Sequence, residues 1–564
     1  MANKTFRAAV VQTLAPLGDL DANIDLLRRY TEQAARLGAK LVVFPECMNT
    51  GYLFDSAEHC AKLAEPVNGL FVQAMAELAR KYGMHIASGI TEKDAAKAKI
   101  FNSGVLLDPS GELVLHYHKQ FLATHDQNWF AFGERGCPVV DTELGRIGLL
   151  ICFDGRIPEI ARSLALQGAQ IIVDMANFFE MDQAEMWVPA RALENGVWFV
   201  AATKSGVERS IYYPGGSMIV APSGDVLARM PYDTHGVISA EIDPAAALNK
   251  SWHGGGDKFA DRRPSTYSIL GKPVEETPLP QSLAASLVPE QATTKAAAVQ
   301  AHATVKPGSL DAALEMASHT AKLGAKVIVL PQHFMNDHWL PDAHEASAAA
   351  NRADAVLAKL SILAKQYQCL FVASVFETTP SGLAPTAVII GPDGAEIGRY
   401  RQVHLEPEIK KWAVAGDRFT VFDTPFGCVG VLLGYDGMFP ESSRALALLG
   451  ADIVAWPCAW RHRYDRELLA VPKAEDNRLF VVCANRTDSL YPGGSLIIPP
   501  NGFPKWDINV SSPPVMRHGA VIPGFINLAL ARQKKMIPKV DMVRNRLVTT
   551  YGPIVASPSA QAVA

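Results

Sequence analysis

One long pattern occurs twice in this chain, so the fold has to be one that can be built twice. Leu37-Gly38-Ala39-Lys40-Leu41-Val42-Val43-Phe44-Pro45-Glu46 returns as Leu323-Gly324-Ala325-Lys326-Val327-Ile328-Val329-Leu330-Pro331-Gln332. His116-Tyr117-His118-Lys119 lies over Arg399-Tyr400-Arg401-Gln402. Gly148-Leu149-Leu150-Ile151-Cys152-Phe153-Asp154-Gly155 lies over Gly430-Val431-Leu432-Leu433-Gly434-Tyr435-Asp436-Gly437. Glycines, prolines and apolar runs survive in both copies. Three reactive side chains do not: Glu46, Lys119 and Cys152 become Gln332, Gln402 and Gly434. The comparison separates what the backbone needs from what chemistry needs.

A length of 564 residues divides into two domains, each able to bury about three quarters of its unfolded surface without staples. The expected boundaries are 1–280, a linker at 281–294 rich in Pro and Ser/Thr/Gln, and 295–564; the tail beyond Thr550 reads as loosely held. Apolar residues at 49% and charged ones at 20% are those of a soluble globular protein. A net charge of −4 offers no basic field, so no nucleic-acid partner is expected. No apolar run is long enough to span a membrane and no signal-peptide core opens the chain, which points to the cytoplasm. The eight cysteines form no close-spaced pairs and read as reduced thiols rather than a disulfide framework.

Along the first copy, strands alternate with helices, and two hairpins are added. Strands are expected at 7–12, 41–44, 85–89, 146–151, 170–174 and 198–202, with helices at 21–37, 70–82, 158–168 and 184–195. The hairpins turn at Asp108-Pro109-Ser110-Gly111 and Pro222-Ser223-Gly224-Asp225. Such an order reads as α/β, with a central sheet, or two, covered by helices.

Glu46, Lys119 and Cys152 all stand where strands end, the edge at which open α/β sheets hold ligands. A cysteine at a strand-to-helix corner is presented as a nucleophile is on an elbow turn. A carboxylate can take its proton, and an ammonium can hold the oxyanion that forms on attack. Each residue alone has a bland reading, as solvated carboxylate, surface charge or small buried thiol. Their joint loss from the second copy favours the catalytic one.

With Phe44-Pro45-Glu46 and Thr50-Gly51-Tyr52, the Lys119 hairpin, and Cys152-Phe153-Asp154-Gly155-Arg156-Ile157-Pro158-Glu159 in this order, the chain resembles the carbon–nitrogen hydrolase (nitrilase) superfamily, once per half. Arg191-Ala192-Leu193-Glu194-Asn195 and Asp261-Arg262-Arg263-Pro264 match in type. The resemblance implies an α-β-β-α sandwich in each half and pairing of the halves as an intrachain pseudo-dimer, with further self-association open. It implies Glu46 as general base, Lys119 and the Phe153 N–H as oxyanion holders, and Cys152 as nucleophile. Many members carry a second glutamate seven residues after the lysine; Asp126 stands there, with less reach, as a supporting carboxylate. Tyr52, Asn177, Phe178 and Trp187 are expected pocket walls.

Arg156 occupies a position where carbamoyl-amino-acid hydrolases grip a carboxylate, the alternative being a local ion pair, as with Glu159. Cleavage of a linear amide through a thioester, without cofactor or metal, is the leading expectation. An N-carbamoyl amino acid hydrolase, a nitrilase and a non-enzymatic scaffold are the alternatives; Phe153-Asp154 in place of Trp-Glu after the cysteine speaks against a nitrilase. His116, His118 and His125 lack further ligands for a metal site. The second half reads as folded and catalytically silent.

Overall fold

Strand and helix alternate in the first half to make two facing sheets with helices outside them. The computed structural model describes residues 5–285, 293–302, 308–502 and 519–556. The first sheet draws on β1 (Phe6–Gln12), β2 (Leu41–Val43), β3 (His85–Asp94), β4 (Lys99–Leu107) and β5 (Leu113–His118). The second uses β6 (Val139–Thr142), β7 (Gly145–Leu150), β8 (Ile171–Ala176) and β9 (Trp198–Thr203). A small separate hairpin, β10 (Ser205–Glu208) and β11 (Ile211–Pro214), follows; then come β12 (Met218–Val220), β13 (Val226–Arg229) and β14 (Gly236–Ile242). The strand orders are β14-β1-β2-β3-β4-β5 and β13-β12-β9-β8-β7-β6. The central strands are parallel and buried on both faces, which is why they read as continuous apolar runs rather than alternating ones.

Helices α1 (Leu20–Arg36), α2 (Ala57–Leu63) and α3 (Leu70–Tyr82) precede β3, and α4 (Pro158–Leu166) and α5 (Val188–Asn195) flank β8. On α1, Ile24, Leu27, Tyr30 and Ala34 form the buried stripe, and Asp19 caps the helix by accepting from the Ala22 N–H at 3.0 Å. This stripe joins α3 residues Phe71, Met75 and Leu78 over the first sheet in one core. The expected helix at 184–195 enters through a wider π turn, Gln183–Trp187, just before Pro189.

The described residues fall into two compact units, and each contains a segment from beyond its own repeat. The first gathers the chain up to Lys250 with Ile537–Asp541 and Asn545–Ala556; the second gathers Ser251–Met536 and Met542–Arg544. Residues 251–280, expected with the first repeat, therefore lie in the second unit, where Arg262 pairs with Glu441 at 2.9 Å. Of the expected linker 281–294, residues 286–292 lie outside the described residues. Of the tail expected to be loose, residues 557–564 lie outside the described residues, while 551–556 are held, with Tyr551 and Ile554 buried and the helical turn Gly552–Val555 against α4. That contact accounts for α4 being buried around nearly its whole circumference.

In the second unit, a six-stranded sheet is built from Glu396–Arg401, Gly382–Ile390, Leu370–Thr379, Val327–Val329, Thr293–Gln300 and Ala520–Asn527. Five described strands form its other sheet, Val421–Thr424, Gly427–Val431, Ile453–Cys458, Phe480–Asn485 and Leu496–Ile498. Both halves are therefore α/β sandwiches of two sheets. Among the described residues no helix is long and apolar enough to cross a membrane. All eight cysteines are buried and free.

Candidate active site

β2 ends in Phe44-Pro45, and the next residue, Glu46, turns into the space at the carboxyl ends of the strands. The backbone there is tightly packed: a Cβ on Gly89 would lie 2.5 Å from Glu46 Cα, so only glycine fits. Glu46 Oε1 accepts from Lys119 Nζ at 2.7 Å and from Asn102 Nδ2 at 2.6 Å. Lys119 follows β5 and is registered by its own N–H to Asn102 O at 2.8 Å. Its ammonium also meets Asp126 Oδ2 at 2.8 Å. Asp126 in turn accepts from Tyr52 OH and the Ala123 N–H, each at 2.8 Å. One ammonium is thus held between two carboxylates, all of them buried. The aspartate reaches its lysine despite the shorter side chain.

Burial opposes the charge on Lys119, but Asp126 and Glu46 outweigh it and hold the ammonium well above its ordinary value. Burial also pushes the Glu46 carboxyl up, against the pull of Lys119. For Cys152, burial and then the Glu46 charge raise the thiol well above its ordinary value, with Lys119 pulling the other way. The resting sulfur is therefore protonated at neutral pH, and attack requires an acceptor for that proton.

Cys152 follows β7 by one residue and sits at φ +52°. Its N–H donates to Asp174 Oδ1 at 2.8 Å, and its Sγ lies 3.8 Å from the Asn177 carbonyl oxygen. Asp154 fastens this elbow to the lysine segment: it accepts from the Ile151 N–H at 3.1 Å, the Tyr117 hydroxyl at 2.8 Å and the Phe121 N–H at 2.8 Å. Burial pushes the Asp154 carboxyl up to about 6. A left-handed backbone costs an L-residue roughly 1–2 kcal/mol that glycine does not incur. Cys152→Gly is accordingly expected to unfold at higher denaturant than Cys152→Ala, by about 1 kcal/mol in urea titrations. The second copy has glycine at the same elbow, Gly434 at φ +41°.

Asn102 and Asp174 were not singled out from the sequence. The repeat held the signal, since Pro385 and Trp456 replace them, whereas Asp154 is matched by Asp436 with equivalent bonds from Tyr400 and His404. Of the expected pocket walls, Tyr52 is engaged with Asp126. Phe178 and Trp187 join Cys152, Gly155 and Asp174 around a small void of about 10 Å³. The Asn177 carboxamide is fully buried, with no hydrogen-bond partner on either end among the described residues. Arg156 Nη2 meets both carboxylate oxygens of Asp182 at 2.8 Å, with the guanidinium over Phe153 and Trp187. His116 and His118 gather on Glu92 at 2.7 and 3.2 Å, a third ligand-type group not seen in the sequence. Arg135 Nε stands 3.2 Å from His118 Nε2, putting a fixed positive charge where a cation would coordinate. His125 is elsewhere, stacked on Trp129.

Residues 537–541 and 545–556 brace both parts of this site within the first unit. Arg546 Nε meets Glu159 Oε1 at 2.9 Å in a buried pair at the start of α4, one turn past the elbow. Thr550 Oγ1 donates to Gln120 Oε1 at 2.8 Å, beside Lys119. Thr124 Oγ1 and Gln127 Nε2 donate to the carbonyls of Pro538 and Lys539, fixing the loop that carries Asp126.

A sequence model for carbon-nitrogen hydrolases matches residues 7–248 and again 295–504. The chain belongs to the carbon-nitrogen hydrolase family. It is 35% identical over 262 residues to a nitrilase of Pyrococcus abyssi, an alignment covering 46% of this chain and 98% of that one. It is 31% identical over 271 residues to the deaminated glutathione amidase of Mus musculus, covering 45% and 82%. Among solved structures it is similar to an amidase from Nesterenkonia sp., with a TM-score of 0.39, 25% identity, and coverage of 44% of this chain and 94% of that one. The chain is thus an enzyme of the carbon–nitrogen hydrolase type, with the family pattern present twice.

Proposed function

We propose that the first unit is a cysteine amidase that cleaves a linear amide through a thioester, and that the second unit is catalytically silent. The observation that carries this reading is the Lys119 ammonium clamped between Glu46 and Asp126, with both Glu46 and Lys119 acting electrostatically on the Cys152 thiol. In the proposed cycle, Cys152 Sγ attacks the amide carbonyl while Glu46 takes the thiol proton. Lys119 and the Phe153 N–H hold the oxyanion. The C–N bond breaks as Glu46 returns that proton to the leaving amine. Water then attacks the thioester, giving its proton to Glu46, and the carboxylic acid leaves as the thiol is re-formed. Asp126 keeps the ammonium aimed and charged throughout.

Two features favour an amide over an N-carbamoyl amino acid. The Arg156 guanidinium is already matched by the Asp182 carboxylate, so a substrate carboxylate would have to displace it. The backbone carbonyl of Asn177 stands 3.8 Å from the sulfur, and its buried carboxamide, without a partner among the described residues, offers both a donor and an acceptor, as an amide requires. The relatives named as amidases agree with this choice.

The deciding experiment measures ammonia release from short aliphatic, aromatic and N-carbamoyl amides, with Cys152→Ala as blank. Release from simple amides without CO₂ supports the reading; CO₂ alongside ammonia moves it to the carbamoyl class. Mass spectrometry after a fluoroacetamide-type probe should show one label per chain, on Cys152. A second label, or none, counts against a single competent unit.

The pH profile supplies a further check. Glu46 must be unprotonated to accept the thiol proton, and its pKa is raised. Lowering the pH through that raised pKa should therefore remove activity, with the acid limb of kcat/KM above the ordinary 4.5. A profile flat down to pH 4.5 would exclude Glu46 as the base.

A further inference from the structure

The second unit keeps the shell of the same site and has changed its contents. Gln332, Gln402 and Gly434 stand where the first copy has Glu46, Lys119 and Cys152. Both carboxamides converge on one side chain: Gln332 Nε2 donates to Glu406 Oε1 at 2.9 Å, and Gln402 Nε2 donates to Glu406 Oε2 at 3.0 Å. The Tyr435 N–H also donates to Oε1, at 3.3 Å. Tyr435 is the counterpart of Phe153, whose N–H is the proposed oxyanion donor. A carboxylate of the chain itself therefore occupies the place of a reacting oxygen.

Glu406 has no carboxylate counterpart in the first copy. The first copy has Ala123 at this position, and Ile409 replaces the carboxylate of Asp126. Other changes fit around it. A Cβ on Gly434 would lie 2.2 Å from the Gln332 Oε1, so the Gln332 head fills the volume of a nucleophile's side chain. Trp456, in place of Asp174, donates Nε1 to Gly434 O at 3.0 Å and closes the floor. What remains is a cavity of about 20 Å³ bordered by Glu406, Tyr435, Trp460, Arg461 and Trp252. Burial pushes the Glu406 carboxyl up, while Gln332 and then Arg461 act to keep it charged.

We infer that the second unit is a carboxylate-binding site permanently filled by its own Glu406, a plug that closes the former oxyanion position to substrate. The geometry of the second unit alone carries this, whatever amide the first unit cleaves. A carboxylate is acceptor-only and suits three converging N–H donors, of which Gln402 Nε2 also donates to the His404 carbonyl at 2.8 Å.

Removing the plug should expose a site for a small free carboxylate. The test is thermal unfolding of the full chain and of its Glu406→Ala and Glu406→Gln variants, in sodium formate and in sodium chloride of equal ionic strength. Glu406→Ala should unfold earlier than the parent, and formate about tenfold above its dissociation constant should raise its midpoint by about 2–4 °C over the chloride control. The parent, already plugged, and Glu406→Gln, whose amide fills the space, should show no formate-specific shift. If Glu406→Ala does not fold when expressed, its soluble recovery after dilution from urea into formate or chloride is read in the same way. Equal responses in all three proteins, or no formate effect on Glu406→Ala in either measurement, would overturn the plug.

Discussion

Lys119→Ala is expected to lower kcat/KM by at least about 10³, through two losses that reinforce each other. Removal of one oxyanion donor costs about 10²–10³ in rate by itself. The ammonium also pulls the buried Glu46 carboxyl, 2.7 Å away, toward its charged form. Without it, burial and the neighbouring Asp126 push the Glu46 carboxyl further up, toward its protonated form. A protonated Glu46 cannot accept the thiol proton, so the base is lost along with the electrophilic group. Steady-state kinetics on the best amide from the panel, with the variant's circular dichroism matched to the parent, gives the measurement. Activity within tenfold of the parent would remove Lys119 from the mechanism.

Arg546→Ala should be the most destabilising single substitution among those considered for the first unit. Its guanidinium is fully buried against Glu159, which is 2% exposed in its side chain. Truncating one partner of a buried pair leaves the other charge desolvated, at a cost of about 3–5 kcal/mol. The expected fall in the unfolding midpoint is about 6–15 °C. The loss also acts on function, because Glu159 opens α4 directly after the nucleophile elbow. In a double variant, Arg546→Met with Glu159→Met, much of the stability should return, since neither charge is then stranded. Calorimetry of the two variants separates the pair from simple loss of packing. A midpoint for Arg546→Ala within 2 °C of the parent (about 1 kcal/mol or less) would contradict this assignment.

How much of this was legible in the sequence depended on the distance over which information had to travel. Strand and helix positions follow from local periodicity, and α3 and the hairpin around Asp108 appear where apolar spacing and turn residues put them. Glu46 and Lys119 were legible at strand ends in a repeated α/β pattern, whereas Asp126 came only from what the family resemblance implies. What could not be read were pairings between residues that no local pattern links. Glu159 and Arg546 are far apart in the chain, and nothing around Arg546 distinguishes it from a surface arginine. Asp182, the partner of Arg156, lies on the turn before α5, where composition alone suggests solvent. Glu406 is offset by three residues from the position at which the first copy keeps its carboxylate, so a register-based comparison saw Ile409 and recorded only a loss.

The placement of residues 537–541 and 545–556 in the first unit also constrains how the protein is made. A ribosome that has finished the first repeat has not yet supplied Arg546, Thr550 or the turn at Gly552–Val555. At 5–20 residues per second, close to three hundred further residues delay them by roughly 15–60 s. During that interval α4 lacks its cover and Glu159 its arginine, so the nascent hydrolase exposes a face that translation itself must later seal. Competence for catalysis is then a property acquired near the end of synthesis, and ribosome-stalled chains lacking this segment should be the ones that chaperones retain.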